Sequence, residues 1–131
     1  MRVPGWEDKL AKVIADAETQ SFDWGTHDCV TFASEAALAI TGRDPIADLR
    51  GRWDSALSAK RELRKLGGIQ SAVSRKMGEP LSTPRCAGRG DVILSDEGFL
   101  GVVVLAHAVA PKPMGLLRVE MSRWITGWRV G

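Results

Sequence analysis

The stretch "WGTHDCVTFASEAALA", Trp24 to Ala39, turns from a loop of small and polar residues into an alanine-rich run at Cys29. Asp28 or Thr26 supplies the side chain of an N-cap and Gly42 the stop, so the spacing predicts a helix from about Cys29 to Thr41. Its inner stripe is Cys29, Ala33, Ala36, Ala37 and Ile40. Small side chains along that stripe let a sheet approach closely, as a central helix requires. Cys29 thus heads a buried face, where a cysteine is a nucleophile, the remnant of one, or a small core residue.

Upstream, Trp6, Leu10, Val13, Ile14 and Ala17 recur at helical spacing, with Pro4 suited to the first turn. Downstream, "RGRWDSALSAKRELRKLGG" predicts a third helix with Trp53, Ala56, Leu63 and Leu66 on one side and Lys60, Arg61, Arg64 and Lys65 around the other. A short fourth helix is expected at Ile69 to Met77. After the loop "PLSTPRCAGRG" the pattern changes to short β-branched runs, "DVILS", "LGVVVLAHAV", "GLLRVEM" and "GWRVG". Connections this short imply antiparallel pairing. Helices followed by strands make one α+β domain over residues 1–131, with N-terminal helices on a small C-terminal antiparallel sheet.

A chain of 131 residues with 44% apolar content suits a single core. The 18 basic and 16 acidic residues leave a net charge of +2, which disfavours a nucleic-acid-coating protein. Nine of those basic residues lie between Arg43 and Met77 beside four acidic ones. That segment reads first as a solvated helix face and second as a docking surface for an acidic partner. No apolar run precedes the first acidic residues, so neither a signal peptide nor a membrane span is expected. Two cysteines 57 positions apart give no disulfide framework and suggest folding in a reducing cytoplasm.

A thiol at a helix start can ionise more readily, but catalysis also needs a base within hydrogen-bond reach. The chain has two histidines, His27 and His107. His27 stands two residues before Cys29 and is expected as an exposed loop residue. With Cys29, Cys86 and His107 it makes four possible zinc ligands, but no close pair such as C-x2-C occurs, so no metal and no cofactor are expected. The five tryptophans and the absence of tyrosine suggest aromatic anchors of a core, with one or two at an interface.

"FDWGTHDCVTFASEA", followed by "GRGDVILS" and "GFLGVVVLA", resembles the pattern of NlpC-type cysteine peptidases, a papain-like family that cuts peptidoglycan stem peptides. The whole chain is similar to small phage tail-tip-associated proteins with that fold. The resemblance implies that Cys29 holds the nucleophile's position, with Trp24, Gly25 and Asp28 in the loop before it. Gly90 and Asp91 open the first core strand, the aspartate in a structural role. Active members place the base histidine at the start of the next strand, where this chain has Phe99. His107 lies eight residues further on, about 26 Å along a straight strand at about 3.3 Å per residue, unless a hairpin near residues 106–115 folds it back.

The resemblance therefore implies a catalytically degenerate tail-tip or baseplate component acting as a structural or docking module. Its partners would be other tail-tip or hub proteins, reached by assembly into a virion after synthesis in a bacterial cytoplasm. The alternative is an active cysteine peptidase or amidase that opens peptidoglycan with Cys29 and His107 or His27.

Overall fold

In the computed structural model, which describes residues 1–131, helix α1 spans Trp6–Ala17 and α2 spans Cys29–Thr41. Pro4 stands ahead of α1 rather than in its first turn, because Gly5 takes a left-handed N-cap conformation at φ 76°. A reciprocal capping box starts α2. The Asp28 carboxylate accepts from the backbone N–H groups of Val30 and Thr31, and the Thr31 hydroxyl accepts from the Asp28 N–H. Gly42 ends the helix at φ 77°, a conformation that a β-carbon disfavours.

Helices α3, Ala56–Lys65, and α4, Ile69–Met77, follow. Trp53, expected on the face of α3, precedes it. Ser55 and Ser58 form a capping box that starts the helix at Ala56, and Ala59 rather than Ala56 is its buried residue. Trp53 is nevertheless buried, in a small cluster with Ile46 and Ala59.

Five strands complete the chain: β1 Val92–Ser95, β2 Leu100–Val103, β3 His107–Pro111, β4 Leu116–Glu120 and β5 Trp124–Trp128. They form one sheet in the order β4-β3-β2-β1-β5, and every neighbouring pair is antiparallel. The chain is an α+β domain with its helices leading and its sheet closing. Two boundaries differ from expectation. "LGVVVLAHAV" is two strands, because the chain reverses at Leu105 and Ala106 and the Val104 N–H donates to the His107 carbonyl at 2.9 Å. The closing strand lies earlier than "GWRVG", since the Val130 N–H donates to the Asp91 carboxylate instead of to a neighbouring strand.

Side chains alternate across the sheet, so each strand serves two clusters. Val92, Leu94, Leu100, Val102, Val109 and Trp128 face α2 and join Leu10, Phe32, Ala33, Ala36 and Ile40 in the main core. Ile93, Val103, Ala108, Ala110 and Val119 face the opposite side, where Ala87 and Leu81 of the loop before β1 cover them. Buried Asp91 locks this arrangement. Its carboxylate accepts from Arg2 at 2.9 Å, from the Val130 N–H at 2.9 Å and from the Gly88 N–H at 2.9 Å, tying residues near both ends to the head of β1. Gly90 beside it has φ 88°, and a β-carbon there would press on Ile40 at 2.8 Å.

Candidate functional site

Cys29 occupies the first position of α2, in the wall of a cleft of about 730 Å³. Trp24, Trp53, Leu63, Ile69 and Phe99 supply most of the apolar lining, and Lys60 and Arg64 of α3 supply cationic groups. Loop, helix and sheet meet there because one side chain organises the loop. Asp28 is 1% exposed and accepts four N–H groups: two in the first turn of α2, the backbone of Gly25 at 2.9 Å, and the indole of Trp53 at 2.7 Å. Gly25 carries φ 88° and lies so close to the Trp53 carbonyl oxygen that a β-carbon would overlap it. The pair Asp28 and Gly25 thus seats Trp53 as the back wall of the cleft.

The thiol of Cys29 is pushed up from an ordinary 9.0 to about 11. The residue as a whole is half-buried, but desolvation of its sulfur is the main cause, and the neighbouring Asp28 carboxylate adds to it. The backbone N–H of Leu100 and those at the start of α2 face the sulfur and pull the other way, but burial prevails. At pH 7 the thiol is then almost wholly protonated.

Neither histidine joins the cleft. His27 is buried, at 7% exposure, rather than standing on the loop surface as expected. Its backbone pairs with Asp23 in both directions, and its ring packs edge-on against Phe32 with centroids 6.0 Å apart. Its Nε2 is buried without a partner. His107 opens β3 at the Leu105–Ala106 turn, across from Val104. The four residues of β2 lie between Phe99 and Val104, five steps or about 16 Å at strand spacing. The hairpin folds back at the wrong end to bring His107 to Cys29.

Phe99 does line the cleft, but its ring packs with the cluster on the far side of the sheet, and the Arg123 guanidinium lies 5.9 Å from its centroid. Its neighbour Leu100 meets α2: the side chain is in the main core and the backbone N–H faces the thiol. Trp24, 38% exposed, stacks edge-on with Phe22 at 4.8 Å and forms the open rim. Gly90 and Asp91 lie outside this cleft, at the other end of β1. Cys86 is exposed, and no group of three or more His, Cys, Asp or Glu is arranged to hold a metal ion. Sequence reasoning missed Trp53, Lys60 and Arg64 as cleft residues. The four-residue interval between the two cations, which puts them on one helix face, was the available signal.

Burial of His27 has a pH consequence. Its pKa is lowered from 6.5, mainly by desolvation, with Asp28 opposing. The unfolded chain therefore binds the proton more readily, so stability is retained above pH 6.5 and declines as pH falls below it. Urea unfolding between pH 7.5 and 5.5 should show a larger loss for wild type than for His27→Phe. Equal losses would remove His27 from this role.

The fold and site define an α+β domain in which a capped central helix presents a neutral cysteine to an apolar cleft. Over residues 1–130 the chain matches the model of the family described as "Domain of unknown function (DUF6950)", and it belongs to that family. No curated protein and no solved structure matches it. No helix is long and apolar enough to cross a membrane.

Proposed function

We propose that this domain is a non-hydrolytic member of the NlpC-type, papain-like group, working as a structural or docking module at a phage tail tip. The phage setting and the fold-family assignment rest on the sequence resemblance. A cysteine heading the central helix against an antiparallel sheet is the arrangement that resemblance implies. The loss of hydrolysis rests on one observation: the cleft that holds Cys29 has no group free to take its proton. Asp28, the one carboxylate in the lining, already accepts two N–H groups on each oxygen, and both histidines lie elsewhere. A neutral thiol beside a saturated carboxylate does not attack an amide.

Two measurements test this. Iodoacetamide should alkylate exposed Cys86 well before Cys29 at neutral pH, and Cys29 labelling should accelerate only as pH approaches 11. Purified peptidoglycan incubated with the protein should release no stem peptides by mass spectrometry. Release that disappears in Cys29→Ala would overturn the proposal and establish the peptidase or amidase reading. Phe99→His should not create activity, because the cleft offers no free polar group to orient an imidazole, its one carboxylate being saturated by four N–H donors.

A further inference from the structure

Helix α3 carries Lys60, Arg61, Glu62, Arg64 and Lys65, of which Arg61 is exposed, in no ion pair and outside the cleft. Lys65 pairs with Glu62 at 3.1 Å, away from the cleft. Lys60 and Arg64 are exposed, line the cleft, and have no carboxylate within ion-pair distance. Two like charges four residues apart disfavour their own helix slightly. The cleft they border is otherwise apolar, and its only carboxylate, on Asp28, is consumed by four internal donors. Nothing inside the domain neutralises the pair.

From this we infer that the cleft takes a short peptide segment of a partner in which an aromatic or aliphatic side chain is flanked by carboxylates. The apolar side chain enters between Trp24, Trp53 and Leu63. The carboxylates meet Lys60 and Arg64 at the mouth. A volume of about 730 Å³ accommodates one or two large side chains, not a folded domain. Burial of the apolar anchor supplies affinity and the cations supply selection against neutral or basic segments. The inference names the ligand of the cleft that the proposed docking role uses, and so rests on that role.

The probe is a hexapeptide with fluorescein on its N-terminal amine and an amidated C-terminus, with Phe and Leu between two pairs of acidic residues. Fluorescence anisotropy should show saturable binding to the full chain, weakened by added salt. Replacing the four acids with their amides should weaken it about tenfold, as should Lys60→Glu combined with Arg64→Glu. Arg61→Glu makes the same kind of charge change on α3 outside the cleft and should leave affinity within about twofold. Trp24→Ala should weaken binding by removing the rim of the anchor pocket. If the double variant melts early, Lys60→Gln with Arg64→Gln replaces it.

Absence of saturable binding overturns the inference. So does equal binding of the amide peptide, or equal weakening by Arg61→Glu, which would mark non-specific attraction. If binding fails while peptidoglycan stays intact, the ligand class falls and the non-hydrolytic reading stands. Cys29-dependent cleavage removes that reading whatever the peptide does.

Discussion

Gly25→Ala lowers stability by about 3 kcal/mol, which for a domain of this size moves the melting temperature by about 10 °C. Two effects combine. Residue 25 sits at φ 88°, where a β-carbon costs about 1–2 kcal/mol of backbone strain. The new methyl group also overlaps the Trp53 carbonyl oxygen, and that contact is backbone, which cannot swing aside as a flexible side chain would. Shifting the Trp53 loop to relieve it adds about 1–3 kcal/mol, as other overpacked sites do. Because Trp53 lines the cleft, the same substitution should weaken peptide binding as well. Urea unfolding followed by circular dichroism checks the prediction, and a loss under about 1 kcal/mol would mean that the loop yields freely.

Asp28→Ala is expected to be about as damaging, by a different route. It deletes the cap of α2, worth about 1 kcal/mol, and leaves the Gly25 N–H and the buried Trp53 indole N–H without their acceptor, at about 1–3 kcal/mol. Asp28→Asn separates the contributions. Its remaining oxygen can still accept from Val30 and Thr31, but its amide N–H₂ would face two donors, so it should recover the capping part and little else. Either variant removes a negative charge beside Cys29 and should lower the thiol pKa. Stability by chemical denaturation and the pH dependence of iodoacetamide labelling measure the two effects independently. A destabilised Asp28→Ala whose Cys29 labels with the wild-type pH profile would show that the carboxylate acts on folding alone.

The contrast between α2 and the segment after it shows where reading along the chain works. The limits of α2 follow from Asp28, Thr31 and Gly42, whose capping bonds span only a few residues and depend on nothing distant. The interval from Ile69 to Met77 was legible for a similar reason, between a glycine pair and Gly78. The start of α3 was not, since Trp53 is as apolar as a helix-face residue and only the Ser55–Ser58 pair marks the true start. The run from Leu100 to Val109 misled for lack of any Gly, Pro or Asn at its turn, which Leu105 and Ala106 make without a turn signature.

The sequence by itself determined an α+β domain, the cysteine at the head of its central helix, and the absence of histidine at the head of β2, because these depend on local capping, periodicity and residue identity. Only the tertiary structure decided that His27 is buried against Phe32, that His107 stands at the far end of the sheet, and that Leu100 rather than Phe99 meets the thiol. Those outcomes depend on strand register, where one residue of shift exchanges the faces of a sheet. The bond from the Trp53 indole to Asp28, 25 residues apart, likewise exists only once the cleft has closed around both.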